Sequence, residues 1–252
     1  MKRIVIKVGS AVLTQNNNIA KERMLNLVSL IAEVKKKYDV ILVTSGAVAA
    51  GYSSLKLDKK KQIGKKALAA AGQPKLMTSY KKKFDIYGID TAQILLTEDD
   101  FDSRKRTTMF EEIINALLDN DVIPIVNEND ITSTPEQLFG DNDQLSANVA
   151  YATGAEILII LSDIDGYYDK NPKEHKDAKI HKVLDHIPED ALNDDYTPTN
   201  LFATGGIVTK LKAADFLLKR NKKMFLCNGF DLSAARSFLI DDEHNLGTLF
   251  TN

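Results

Sequence analysis

The sequence predicts an α/β protein whose largely parallel sheet is covered on both faces by helices. Short apolar runs, rich in β-branched residues, recur at 4–8, 40–44, 94–96, 122–126, 157–161 and 224–227 and read as strands. Between them lie stretches with helical spacing, such as Met24, Leu27, Val28, Ile31 and Val34, or Phe110, Ile113, Ile114, Leu117 and Leu118. Strand and helix therefore alternate, and parallel neighbours need crossovers that are usually helices. No low-complexity linker or internal repeat interrupts the pattern, so the 252 residues suit one large domain or two closely packed lobes. The least regular part, 168–201, reads as a surface excursion with one short helix.

Composition narrows the function classes. A net charge of −2 argues against wholesale neutralisation of a nucleic acid backbone. The lysine runs at 35–37, 59–61 and 81–83 read as solvated helix faces. The single cysteine, Cys227, has no internal disulfide partner, consistent with a reducing compartment. The four histidines show no metal-ligand spacing. Lys7 breaks the first apolar run too early for a signal peptide, and no apolar stretch approaches membrane-spanning length. The expectation is a soluble cytoplasmic protein with neither nucleic acid nor membrane as partner.

The chemistry gathers where strands end. The first strand closes on Lys7, Val8, Gly9 and Ser10. A lysine in a central strand is costly to bury unless an anion neutralises it, and Gly9 lets a backbone approach closely. The second strand runs into Thr44, Ser45 and Gly46, then small residues to Gly51. These suit a tight turn with an anion-binding helix start, or close helix packing. Tyr52 follows where a Walker nucleotide site needs Lys and Ser or Thr.

The strand at 122–126 discharges into Asn127, Glu128, Asn129 and Asp130, where ligands of open α/β sheets are met. A second cluster, Gly140, Asp141, Asn142 and Asp143, precedes a helix expected from Gln144, which its Asx side chains could cap. The strand at 157–161 leads to Ser162 and Asp163, with a turn at Asp165-Gly166. Finally Thr204, Gly205, Gly206, Ile207, Val208, Thr209 and Lys210 offer a glycine turn and then a helix, a pattern able to grip phosphate.

Taken together, KVGSAVLT at 7–14, TSGA at 44–47, NEND at 127–130, GDND at 140–143, LSD at 161–163 and TGG at 204–206 leading to Lys210 resemble the glutamate kinase branch of the amino acid kinase family. The likeness runs from the first strand nearly to the last residue. It implies an α/β/α sandwich in which 1–252 is one kinase domain. Its N-terminal lobe, about 1–150, would mainly hold L-glutamate, and its C-terminal lobe, about 151–252, would mainly hold ATP. The implied reaction is phosphorylation of the γ-carboxylate of L-glutamate by ATP with Mg²⁺, the first step of proline synthesis. By the same resemblance Ser45, Asp130 and Asn142 contact glutamate, and Lys7, Gly9, Ser162, Asp163 and the segment from Thr204 to Lys210 hold the nucleotide. Lys7 and Lys210 are the catalytic cations and Asp143 orients them. Ser162 stands where threonine is common, keeping the hydroxyl. The chain stops at Asn252, where many relatives carry an added PUA domain, so a form without that domain is expected. A homo-dimer or tetramer and coupling to glutamyl phosphate reductase are further implications.

The expected reaction suits these residues. A carboxylate is already ionised at neutral pH, so no histidine base is needed. The obstacle is repulsion between two anions, which cations must offset. A buried Asp130 suits a free α-ammonium and would be left unpaired by an N-acylated substrate. Another carboxylate kinase of the family, for aspartate or N-acetylglutamate, and a non-catalytic amino-acid sensor are the alternatives.

Overall fold

The computed structural model describes residues 1–133, 142–172, 174–192 and 206–252, with the side chain of Asp190 left aside. In chain order these form β1 (Lys2–Val8), α1 (Ser10–Leu13), β2 (Thr14–Gln15), β3 (Asn18–Ile19), α2 (Lys21–Val34), β4 (Tyr38–Val43), α3 (Ala47–Tyr52), α4 (Gln62–Phe84), β5 (Thr91–Leu96) and α5 (Asp99–Asp102). They continue with α6 (Arg104–Asp119), β6 (Ile123–Glu128), α7 (Asn142–Ala152), β7 (Ile157–Ser162), β8 (Val183–Leu184), α8 (Gly206–Leu218), β9 (Lys223–Asn228), α9 (Ser233–Ile240) and β10 (Thr248–Phe250). The main sheet has the order β5-β6-β4-β1-β7-β9-β10-β8. It is parallel from β5 to β9, while β10 runs antiparallel to β9 and carries β8 beside it.

Side-chain alternation sorts the strands between two cores. In β1, Ile4, Ile6 and Val8 pack with α2, α4 and α9, whereas Val5 packs on the opposite face with α6, α7 and α8. Lys7 shares the parity of Val5 and so enters the α7–α8 face. The stripe expected on α2 is buried throughout. On α6, Phe110 and Ile114 are buried, but Ile113 faces outward with Met109. The helix is narrower than its apolar spacing suggested, because the sheet edge it covers ends at β5.

Two expectations are corrected here. The excursion at 168–201 contributes β8 to the sheet, and a two-residue strand has no periodicity to read. Lys35, Lys36 and Lys37 form the turn that follows α2, not a helix face, and Lys59, Lys60 and Lys61 likewise sit in the connection before α4. Asp58 accepts from the backbone N–H of Lys60 and makes this a turn.

The small residues after β4 divide their work. Gly46 has φ +102° and turns the chain into α3, a conformation other residues resist. Gly51 and Gly72 let α3 and α4 touch backbone to backbone: a Cβ on Gly72 would lie 1.8 Å from the Ala47 carbonyl oxygen, and one on Gly51 1.9 Å from that of Leu68. Helix backbones cannot yield as a side chain does. Gly72→Ala is expected to cost about 3 kcal/mol, the upper end of overpacking, read as a lower urea midpoint at unchanged slope.

Candidate active site

The carboxyl ends of four adjacent strands, β6, β4, β1 and β7, define one edge of the sheet, and α7 and α8 begin there. Lys7, the penultimate residue of β1, is 2% exposed. Its ammonium meets Asp143 Oδ1 at 2.5 Å. Lys210, in the second turn of α8, reaches the other oxygen of the same carboxylate at 3.0 Å and also donates to the Gly206 carbonyl at 2.8 Å. Thr209 Oγ1 donates to Asp143 Oδ2 at 2.9 Å. Three elements distant in sequence are thus joined through one carboxylate with no exposed surface.

Burial alone would push the Asp143 carboxyl up. The positive charges of Lys7 and Lys210 and their hydrogen bonds outweigh it, bringing the group down to about 2. It is therefore ionised at any ordinary pH. Two ammonium groups held at one point in a dry setting can act strongly on an incoming anion. Gly9 and Gly206 border this cluster: a Cβ on either would stand 3.8 Å from Lys7 Nζ or 3.7 Å from Lys210 Nζ, so bare backbone flanks both ammonium groups.

Beside the cluster opens a cavity of about 270 Å³ lined by Ser10, Ser45, Gly46, Asn127, Glu128, Asp130, Asn142, Lys59 and Lys65, among others. Asn142, the first residue of α7, turns its amide nitrogen to the Thr44 carbonyl at 2.5 Å, Asn127 Oδ1 at 2.8 Å and Ser45 Oγ at 3.0 Å. This ties the α7 start to the loop after β4 and to the end of β6. Desolvation raises the Asp130 carboxyl above its usual range, with Lys65 and Lys66 opposing the rise. Lys66 also donates to the carbonyls of Ile131 and Ser133, at 2.9 and 2.7 Å, and so holds the turn that carries Asp130.

The expected residues fall on both sides of this edge. Ser45, Asp130 and Asn142 line the cavity, while Lys7, Asp143, Thr209 and Lys210 form the ion cluster. Ser162 is buried at the end of β7 and donates at 3.0 Å to Asp163, whose side chain is exposed. Gly206 opens α8. Ile207 is buried in the core and so can face a ligand only through its backbone, while the partly buried Val208 packs against that core. Gly140, Asp141, Thr204 and Gly205 lie outside the described residues.

Helix α7 starts at Asn142 and not at Gln144. The side chains of Asn142 and Asp143 reach across to β4, β6 and β1 instead of capping the helix. Likewise Asn127 and Glu128 still belong to β6 and are buried. Lys59, Lys65 and Lys66 carry no motif and were not foreseen; the one available signal was lysine near the start of a helix whose opposite face is small.

A doubly covered parallel sheet with clustered cations and a polar cavity at its carboxyl edge defines a class: α/β proteins that gather a small anionic ligand beyond the strand ends. Residues 2–228 match the amino acid kinase family. The chain is 56% identical to a glutamate 5-kinase of Wolinella succinogenes over 99% of this chain and 98% of that one. It is 52% identical to a glutamate 5-kinase of Leishmania donovani over 99% and 95% of the respective chains. Among solved structures, the isopentenyl phosphate kinase of T. acidophilum shares the fold with a TM-score of 0.66 at 16% identity, covering 98% of this chain and 99% of that one. The chain belongs to the amino acid kinase family.

Proposed function

We propose that this protein transfers the γ-phosphoryl group of ATP to the γ-carboxylate of L-glutamate, giving L-glutamyl 5-phosphate as the first step of proline synthesis. The observation that carries the reading is the pair of ammonium groups, from opposite ends of the chain, held on Asp143 beside a cavity that contains Asp130. The choice of glutamate rests on the likeness to enzymes of that name over nearly the whole chain. In this reading residues between 45 and 142 hold the acceptor, and Gly9, Ser162, Asp163 and the start of α8 hold the nucleotide.

The acceptor carboxylate is already ionised, so one of its oxygens attacks the γ-phosphorus directly. The new acyl P–O bond forms as the bond to the β,γ-bridging oxygen breaks, and that electron pair leaves with ADP. No proton is transferred, and among the described residues no histidine lines the cavity. Lys7 and Lys210 meet the charge that spreads over the transferring phosphoryl oxygens. Asp143 keeps the two ammonium groups from separating. Ser45 and Asn142 orient the acceptor, and Asp130 pairs with its α-ammonium.

Among the described residues no three His, Cys, Asp or Glu side chains cluster closely enough to hold a metal ion. Mg²⁺ would come with the nucleotide as MgATP and would screen its phosphate charges, while the steps assigned here rest on lysine and backbone groups.

A hydroxamate assay with MgATP tests the proposal across L-glutamate, L-aspartate and N-acetyl-L-glutamate. Glutamate should give hydroxamate, aspartate far less, and the acetylated compound none, because an amide offers Asp130 no positive charge. Product from N-acetylglutamate alone, or from none of the three at saturating concentrations, would refute it.

A further inference from the structure

We propose that Gln73, on α4 and outside the acceptor cavity, is a positioning residue that, through Asn127, braces the Asn142 amide against the acceptor; this deepens the reading above and rests on it. The observation is a line of amides running from the sheet edge to the loop after β4. Gln73 Nε2 donates to Gln93 Oε1 of β5 at 3.3 Å, and Gln73 Oε1 accepts from Asn127 Nδ2 at 2.9 Å. Asn127 Oδ1 in turn accepts from the Glu128 backbone N–H at 2.9 Å and from Asn142 Nδ2 at 2.8 Å.

Polarity along this line is forced. A backbone N–H can only donate and a backbone carbonyl can only accept. The Glu128 N–H therefore fixes Asn127 Oδ1, and the Thr44 carbonyl, 2.5 Å from Asn142 Nδ2, fixes the Asn142 amide. Asn142 Nδ2 has two hydrogens and three protein acceptors, so it has none to spare for a ligand. That leaves Oδ1 as the Asn142 side-chain atom able to meet a ligand, an acceptor suited to an ammonium group.

Asn127 must then find an acceptor for its own Nδ2 while only 2% exposed, and among the described residues Gln73 Oε1 is that acceptor. An unmet amide hydrogen there would be costly, and the side chain would turn to satisfy it. Any such turn weakens the Asn127–Asn142 bond, one of the three contacts that seat the Asn142 amide with the Thr44 carbonyl and Ser45 Oγ. Among the described residues the hydrogen bonds of Gln73 go to Gln93 and Asn127, away from the ion cluster, so the effect should fall on acceptor binding and leave phosphoryl transfer alone.

Steady-state kinetics with each substrate varied separately provide the test. Gln73→Met keeps the shape but removes the acceptor, and should raise the glutamate KM about tenfold, the worth of one such hydrogen bond. The ATP KM and kcat should stay within about twofold, since no bond to the ion cluster is lost. Gln73→Glu keeps an oxygen facing Asn127 Nδ2 and should restore the glutamate KM. Gln73→Lys sets a donor against a donor and should exceed the Met variant, which keeps the test available if the Met variant fails to fold. An unchanged glutamate KM in the Met or Lys variant would overturn the proposal. So would equal losses in the Met and Glu variants, or a parallel rise in the ATP KM, either of which marks a merely structural role. Failure of the wild type to phosphorylate glutamate would instead refute the assigned reaction.

Discussion

Lys210→Ala is expected to lower kcat about a thousandfold while the glutamate KM changes little. One unit-charge pair at about 4 Å is worth roughly 4 kcal/mol at an effective dielectric of 20, which is close to a thousandfold if felt only in the transition state. The site favours that partition. Lys210 stands at 3.0 Å from Asp143 on the α8 side, whereas the acceptor cavity is lined by residues of the loop after β4, of β6 and of α7. Lys210→Arg should recover little, because a guanidinium is planar and larger than the ammonium seated between Asp143 and the Gly206 carbonyl. Steady-state rates with glutamate and ATP varied independently decide the matter; a glutamate KM that rises as far as kcat falls would remove Lys210 from the transition state.

Asp143→Asn should damage both turnover and stability. The substitution leaves two buried ammonium groups facing an uncharged amide, and breaking a buried ion pair by removing one partner costs about 3–5 kcal/mol. The acid limb of stability provides a second readout. The folded Asp143 carboxyl lies near 2 against an ordinary 3.8, so its ionisation stabilises the native state fully above the ordinary value. That contribution, on the order of 2 kcal/mol, fades as pH falls from about 4 through about 2. Denaturant melts of the wild type should therefore lose stability across that window, and Asp143→Asn should lack this component. Identical acid profiles for the two proteins would mean that Asp143 is not held ionised by its neighbours.

Much of this architecture was legible in the sequence because its signals were long or concerted. Six parallel strands announce themselves as apolar runs, and α2 as an unbroken stripe, since a face pressed into the core leaves little choice of residue. The ion cluster was legible too, but only through resemblance: nothing in the spacing of Lys7, Asp143 and Lys210 says that they meet. What escaped is physically of another kind. Strands β8 and β10 are two and three residues long and owe their conformation to the neighbours they pair with. Helix α7 was placed two residues late because Asn142 and Asp143 looked like capping groups, whereas both spend their side chains on other elements. Gln73 follows a run of alanine and glycine and has no local partner. Its role exists only once α4 lies against β6.

The position of β1 carries one last consequence. This first strand lies in the middle of the sheet, between β4 and β7, and pairs along its length with residues 157–161. A nascent chain emerging from the ribosome therefore exposes one unsatisfied apolar edge until about two thirds of the polypeptide has been made. Long-range parallel pairing of this type is slow and prone to sticking to other chains in the interval. Protection during synthesis, rather than the stability of the finished sheet, should limit how much active protein a cell obtains.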